Sequence, residues 1–208
     1  MTKTYRTEQE AFWAGSFGEG YLERNDGSEF IASNLSLFNK ILAGAKPISS
    51  VLELGANIGL NLRAIGLMFP KANLIGVEIN EKAVKKLEKV NNTEAVHGSI
   101  FDYEAKETVD LSFTRGVLIH INPKELERVY DCLYKSSHRY ILVVEYYNPS
   151  PVSIPYRGES DKLFKRDFAG EIMDRFEDVE LVDYGFVYHR DPKFPQDDVS
   201  WFLMEKKL

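Results

Sequence analysis

The sequence predicts an α/β fold in which a mixed sheet of about seven strands is flanked by helices and preceded by a helical extension. Apolar segments of strand length alternate with amphipathic helical segments from residue 47 onward. The segment Val51–Gly59, VLELGANIG, has the pattern of a buried strand that enters a glycine turn and then a helix. The last two strands follow each other without a helix between them, so the final strand should run antiparallel to its predecessor.

Composition limits the domain count and the classes of partner. The 208 residues, of which 44% are hydrophobic, fit a helical N-terminal cap or lid at 1–46 and one domain at 47–208. A net charge of −6 argues against nucleic acid and anionic membranes as partners. No apolar run approaches the roughly 18 residues that span a bilayer, and Cys132 is the single cysteine. We therefore expect a cytoplasmic protein without disulfides, and the sequence does not indicate its oligomeric state.

The N-terminal cap is predicted to be helical and to fold back on the domain. Thr7 and Glu10 have the spacing of a capping box, which opens a short helix that carries Trp13. The following glycine-rich segment contains Phe17 and Tyr21, and aromatic side chains are unusual in a solvent-facing linker. An apolar stripe over residues 28–45 predicts a helix that packs on the sheet. We interpret the aromatic segment as a lid.

The elements of the domain follow from periodicity, with proline and glycine marking their ends. Strands are predicted at 51–54, 74–80, 95–97, 109–118, 140–148, 179–188 and 201–208. Helices are predicted at 60–68, 81–90, 122–133 and 167–176. The proline-containing segment up to Lys165 is predicted to be a long loop.

The residues at the strand ends predict a ligand that carries a nucleoside. Gly55 and Gly59 would let the backbone approach a ligand, and free amides at the helix start favour an anionic group. Glu78 ends the second strand, where a carboxylate can accept hydrogen bonds from both ribose hydroxyls. The segment GSIFDY after the third strand could meet an adenine ring. NAD and S-adenosylmethionine both satisfy this description.

Three observations argue against a dinucleotide. The helix after the glycine turn lacks a third glycine for close packing, and continues with Leu60 and Asn61. No tyrosine is followed by lysine four residues later, which removes the usual catalytic pair of short-chain dehydrogenases. The predicted antiparallel ending also differs from a dehydrogenase sheet. An NAD-dependent oxidoreductase remains the less favoured alternative.

The order of the motifs VLELGANIG, LIGVEIN, GSIFDY and LSFTRGVLIHI, with the closing strand pair, resembles a class I S-adenosylmethionine-dependent methyltransferase. The segments FWAGSFGEGYLERN, EYYNPSPVSIPYRG, LFKRDF and WFLMEKKL are similar to the methylase family associated with pseudaminic acid biosynthesis. The resemblance implies a Rossmann-like fold and a methyltransferase that acts on a small polar acceptor, such as a sugar or nonulosonic (pseudaminic) acid derivative. In one departure, Ser99 stands where many class I enzymes have an acidic residue, and Asp102 follows three residues later.

The resemblance, together with the interpretation of the N-terminal segment as a lid, predicts which residues bind the cofactor, S-adenosyl-L-methionine. They come from the lid, the first strand and glycine turn, the end of the second strand, the GSIFDY segment and the end of the fourth strand. They are Tyr21, Arg24, Glu53, Gly55, Ala56, Asn57, Gly59, Glu78, Ile79, Ser99, Ile100, Asp102, Thr114, Arg115 and Gly116.

The acceptor and the catalytic groups are predicted from the loops after the fourth and fifth strands and from the lid. His120 is placed for acid–base work because its ordinary pKa lies near neutrality, and Tyr146 could supply a hydroxyl. The predicted substrate-binding residues are Trp13, Tyr147, Asn148 and Arg157, and a basic residue such as Arg157 would favour an anionic acceptor.

Two further alternatives remain open from the sequence. A non-catalytic S-adenosylmethionine-binding protein of a glycan biosynthesis cluster would keep the same motifs. A non-methylating use of the sulfonium would also keep them. The histidines show no spacing typical of a metal site, so no metal is expected.

Overall fold

The computed structural model describes residues 5–24, 27–156 and 158–207. The helices in chain order are α1 (Glu8–Ala14), α2 (Ser16–Arg24), α3 (Ser28–Leu42), α4 (Leu60–Met68), α5 (Glu81–Leu87), α6 (Leu126–Ser136) and α7 (Phe168–Arg175). The strands are β1 (Ser50–Leu54), β2 (Asn73–Glu78), β3 (Thr93–His97), β4 (Val109–Arg115), β5 (Ser137–Glu145), β6 (Val152–Tyr156), β7 (Glu159–Lys165), β8 (Val179–Val187) and β9 (Val199–Lys206).

Seven strands form one sheet in the order β3-β2-β1-β4-β5-β9-β8. The strands from β3 to β5 pair in parallel, whereas β9 is antiparallel to both β5 and β8. The predicted mixed sheet with an antiparallel last strand is therefore confirmed. The strand order reverses between β1 and β4, and a crevice opens beyond the carboxyl ends of parallel strands at such a point.

Helices cover both faces of the sheet and bury two apolar clusters. On one face α3 and α4 pack against the central strands, and the Phe38 ring meets Phe113 edge to face at 5.5 Å between centroids. On the other face α6 and α7 contribute fully buried side chains such as Leu133 and Ile172. The prediction that the third helix packs on the sheet is therefore confirmed, and the packing fixes where the strand ends lie.

The predicted long loop before Lys165 is wrong, because the strands β6 and β7 form an antiparallel hairpin there. Leu163 and Phe164 are buried, and Leu163 belongs to the apolar cluster on the α6 and α7 face of the sheet. Pro155 hides the strand pattern in the sequence. It lies at the register shift between Ile154 and Tyr156, where a missing backbone N–H is tolerated.

The N-terminal cap is helical as predicted, and its capping box is present: the Glu10 amide donates to the Thr7 hydroxyl, and the Glu10 carboxylate accepts from the Thr7 amide. The glycine-rich aromatic segment forms α2. Among the described residues, no helix has both the length and the apolar character that crossing a bilayer requires.

Candidate functional site

A cavity of about 780 Å³ lies beyond the carboxyl ends of the parallel strands. Helices α1 and α2, the hairpin β6–β7 and the β8–β9 connector at 188–198 enclose it. Many of the predicted site residues line it, from the lid and from the loops after β1, β2, β3, β4 and β5. These are Trp13, Tyr21, Gly55, Ala56, Asn57, Glu78, Ile79, Ser99, Ile100, Arg115, Gly116, His120 and Tyr146.

The glycine turn after β1 is held against β2 and has left-handed backbone at two glycines. The amides of Gly55 and Ala56 both donate to the Val77 carbonyl at 2.9 Å. Gly55 and Gly59 have φ of +80° and +79°, and a Cβ would lie 2.5 Å from Val117 at the first and 2.7 Å from Leu87 at the second. The glycines are therefore required by packing against protein. This corrects the expectation for Gly59, which does not line the cavity.

Glu78 is fixed by backbone amides at the end of β2. One carboxylate oxygen accepts from the Asn57 amide at 2.8 Å and the other from the Asn80 amide at 2.7 Å. Burial raises the pKa of Glu78, although these amide hydrogen bonds favour the charged form. Each carboxylate oxygen can accept a second hydrogen bond, so the group can also serve a ligand in the cavity.

Glu145, at the end of β5, holds the short 3₁₀ turn at Leu118–His120. Its carboxylate accepts from the amides of Val117 and Leu118, both at 3.0 Å, and from that of Ile119 at 3.4 Å. Burial raises the pKa of Glu145 to about 7, against the effect of these amides. The carboxylate therefore positions the loop that carries His120.

His120 is a buried, neutral imidazole that faces the cavity. Its Nδ1 lies 2.6 Å from the Lys162 carbonyl oxygen; since a carbonyl only accepts, Nδ1 carries the proton and Nε2 has the lone pair. Burial lowers the pKa of His120 to about 4. The ring stands between Trp13 and Tyr156, at centroid distances of 4.7 and 5.1 Å.

Tyr146 lines the cavity near the β8–β9 connector. Burial and a hydrogen bond with the nearby Asp197 carboxylate raise the pKa of Tyr146 well above its usual range. The phenol therefore stays protonated at neutral pH. The Lys165 ammonium lies 4.9 Å from the centroid of its ring, but Lys165 does not line the cavity.

Arg115 is held by side-chain amides from three separate elements. Its guanidinium donates to the carbonyl oxygens of Asn34, of Asn61 at 2.7 Å and of Gln196 at 2.7 Å. None of these acceptors carries a charge. Sequence reasoning did not identify these three amides, although Asn34 and Asn61 interrupt apolar helical stripes. The arrangement presents a positioned cation to the cavity.

Glu53 lies beneath this network, with 1% of its surface exposed. One of its oxygens accepts from Asn61 at 2.6 Å, and the other has no hydrogen-bond partner among the described residues. Burial raises the pKa of Glu53 to about 8. The carboxyl is therefore mostly neutral at pH 7, and the carboxylates of Asp197 and Glu145 also stabilise the charge of Arg115.

The lid is docked over the cavity by polar contacts at both of its helices. Ser99 donates its hydroxyl to the Glu10 carboxylate, and the Asn80 side chain donates to the Trp13 carbonyl at 3.2 Å. In α2, Glu19 pairs with Lys82 at 2.7 Å. These contacts join α1 and α2 to the loops after β2 and β3 and to α5.

Several predicted residues lie away from the cavity. Glu53 and Thr114 are buried behind it. The side chain of Asp102 is 74% exposed and 3.8 Å from Arg6. After Tyr146, which lines the cavity, the chain leaves the site, and the assignments of the next two residues are corrected: Tyr147 packs on Phe202 and Asn148 bonds to the Ser150 carbonyl.

Among the described residues, the lysine or arginine side chain that lines the cavity is Arg115. The predicted contacts of Arg157 and of the Arg24 side chain lie outside the described residues.

We predict that Glu53→Gln removes a pH-dependent loss of stability. Between about pH 4.5 and pH 8 the folded protein retains a proton on Glu53 that the unfolded chain releases, so the free energy of unfolding falls as the pH rises. The glutamine has no such proton. In urea unfolding, the free energy of unfolding of the variant should rise by a few kcal/mol relative to that of the wild type as the pH increases from about 5 to about 8. Glu94→Gln, at a half-exposed strand position, is the control; parallel profiles of wild type and Glu53→Gln would contradict the assignment.

Comparison with known proteins relates both the sequence and the fold to methyltransferases. Residues 51–137 match the model of a methyltransferase domain, and no curated protein matches the sequence. Two solved structures illustrate the likeness of the fold. The 1,6-didemethyltoxoflavin-N1-methyltransferase of Burkholderia thailandensis, with bound S-adenosylhomocysteine, is 12% identical with a TM-score of 0.69, over 96% of this chain and 87% of that one. The magnesium protoporphyrin IX methyltransferase of Synechocystis PCC 6803, also with S-adenosylhomocysteine, is 15% identical with a TM-score of 0.68, over 95% and 98%.

A third structure, the plantazolicin methyltransferase BpumL with S-adenosylhomocysteine, is 14% identical with a TM-score of 0.66, over 96% of this chain and 94% of that one. At such identities the likeness concerns the fold, and the family model covers the strands and loops that form the centre of the cavity. Residues 51–137 are therefore similar to a methyltransferase domain, and the chain has the fold of class I S-adenosylmethionine-dependent methyltransferases.

Proposed function

We propose that this protein transfers a methyl group from S-adenosylmethionine to a small polar acceptor, such as a sugar or nonulosonic acid derivative. The observation that carries the proposal is the Glu78 carboxylate, oriented by the amides of Asn57 and Asn80 at the edge of the cavity. A carboxylate in this place suits the two hydroxyls of a ribose. The fold comparisons support the same cofactor.

The residues that line the cavity fit the cofactor along its length. Glu78 would hold the ribose, Ser99 and Ile100 the adenine, and the turn at Gly55–Asn57 the methionine part. Arg115 offers a cation without a carboxylate partner among its hydrogen bonds, which suits a carboxylate group. The cavity volume of about 780 Å³ is within the usual range for a small-molecule site.

The bound cofactor supplies an activated methyl group whose leaving group is a neutral thioether. The protein's own contribution is therefore positioning and exclusion of water, which α1 and α2 provide by covering the cavity. His120 would act at Nε2, which has the lone pair because Nδ1 donates to the Lys162 carbonyl. From there it can accept a hydrogen bond from an acceptor hydroxyl and take its proton during transfer.

The polar groups opposite the glycine turn support a hydroxylated acceptor. Tyr146 remains a protonated phenol that can donate or accept, and Asp197 brings a carboxylate to the same end of the cavity. Carboxylates and phenols are suitable partners for sugar hydroxyls. The structural neighbours named above modify chemically different compounds, so the fold alone does not specify the acceptor.

We predict that S-adenosylhomocysteine binds and that NAD does not. In calorimetry, Glu78→Ala should weaken S-adenosylhomocysteine binding by at least about tenfold, because hydrogen bonds to a charged group are lost. Glu94→Ala, at a half-exposed position of β3, should leave the affinity unchanged. Tight NAD binding without any response to S-adenosylhomocysteine would overturn the assignment.

Turnover separates an enzyme from a non-catalytic binding protein. Release of S-adenosylhomocysteine should appear when S-adenosylmethionine is supplied with a sugar or nonulosonate precursor. His120→Asn keeps a donor toward the Lys162 carbonyl but lacks Nε2, so it should lower kcat by about 100-fold without changing cofactor affinity. Cofactor binding without release for any acceptor would favour the non-catalytic alternative, and an unaltered kcat in His120→Asn would remove the base from the proposal.

A further inference from the structure

Glu10 of helix α1 lies at the end of the cavity where the adenine of the cofactor would lie. The residue is buried, with 9% of its surface exposed, and it lines the cavity together with Ser99, Ile100 and Phe101. The Ser99 hydroxyl donates to one oxygen of its carboxylate. An acidic side chain from α1 is therefore placed beside the loop after β3, although the two segments are far apart in sequence.

The two carboxylate oxygens of Glu10 have different roles. One accepts from the Arg6 amide at 2.7 Å and from the Thr7 amide at 3.3 Å, and so completes the start of α1. The other accepts from the Ser99 hydroxyl and can accept one further hydrogen bond, because a carboxylate oxygen has two lone pairs. This second oxygen can thus serve a hydrogen-bond donor in the cavity.

Ser99 adds a second acceptor at the same place. Its hydroxyl has a single proton, which it donates to Glu10, and its oxygen accepts from the Phe101 amide at 3.0 Å. The hydroxyl therefore has no proton left for a ligand. Asp102 does not line the cavity, since its side chain is 74% exposed and lies 3.8 Å from Arg6. Glu10 and Ser99 together form a pair of side chains that can accept hydrogen bonds from a ligand but not donate them.

We propose that Glu10 recognises the exocyclic amine of the adenine, so that α1 supplies part of the cofactor site. An amine is a donor and suits a pair of acceptors, and the apolar side chains of Ile100 and Phe101 suit a purine ring. The proposal rests on the proposed use of S-adenosylmethionine. It adds a specificity: a purine with a keto oxygen in place of the amine is rejected, because acceptors would then face an acceptor.

The position of Glu10 on α1 couples this recognition to closure of the lid. Glu10 is held at the cavity while α1 is docked, which it is through contacts such as that of the Asn80 side chain with the Trp13 carbonyl at 3.2 Å. A hydrogen bond from the adenine to Glu10 would favour the docked position of α1 over an open one. The cofactor therefore enters before α1 closes and then holds it closed.

Calorimetry with two ligands tests the proposal. The wild type should bind S-adenosylhomocysteine at least about tenfold more tightly than S-inosylhomocysteine, in which a keto oxygen replaces the amine. In Glu10→Gln this preference should fall by at least about tenfold. The amide carbonyl of the glutamine can keep the capping box, while its NH₂ group places a donor at the cavity.

Glu19→Gln is the matched control for a loosened lid. It removes the ion pair of α2 with Lys82 without changing a residue that lines the cavity. It should lower both affinities by the same small factor, below about fivefold, and so leave the preference between the two ligands unchanged.

Amide hydrogen exchange of the wild type is a second measurement that does not depend on the folding of a variant. At saturation, S-adenosylhomocysteine should protect the α1 amides more than S-inosylhomocysteine does. Equal affinities of the wild type for the two ligands, equal protection of α1, or a preference that survives in Glu10→Gln would overturn the role of Glu10 alone. A wild type that does not bind S-adenosylhomocysteine would overturn the proposed function, and this inference with it.

Discussion

The cavity depends on buried carboxylates that end two strands and gather the backbone amides of the neighbouring loops. Glu78 fixes the glycine turn through the Asn57 amide, and Glu145 fixes the 3₁₀ turn through three consecutive amides. Buried carboxylates are unfavourable unless hydrogen bonds satisfy them, so the loops and the acids hold each other in place. The raised pKa values of both groups reflect this burial. The glycine turn and the loop that carries His120 are positioned in this way.

A second set of contacts joins the lid, the hairpin and the candidate base through one residue. The Lys162 carbonyl fixes the tautomer of His120, while its ammonium lies 3.4 Å from the Glu8 carboxylate and 5.8 Å from the centroid of the Phe12 ring. Lys162 therefore connects α1, which covers the cavity, to the hairpin that orients the imidazole. The low pKa of His120 follows from the same enclosure, because water that would stabilise the imidazolium is excluded.

Much of the fold and part of the site could be predicted from the sequence, because they depend on local pattern. The periodicity of strands and helices predicted the sheet, and the missing helix between the last two strands predicted its antiparallel end. The spacing of Thr7 and Glu10 predicted the start of the first helix. Glu78 was found because it ends a strand. The hairpin β6–β7 was missed because prolines obscure its alternation. The amides around Arg115 were missed because α3, α4 and the β8–β9 connector meet only in three dimensions, and no local pattern encodes such a meeting.

A crystal structure with S-adenosylhomocysteine tests most directly whether Glu78 binds the ribose. We expect both ribose hydroxyls on the Glu78 carboxylate, with the amides of Asn57 and Asn80 still bound to it, and the sulfur directed toward the side of the cavity that holds His120 and Tyr146. A ligand that leaves Glu78 without a contact, or a sulfur directed away from His120, would contradict it.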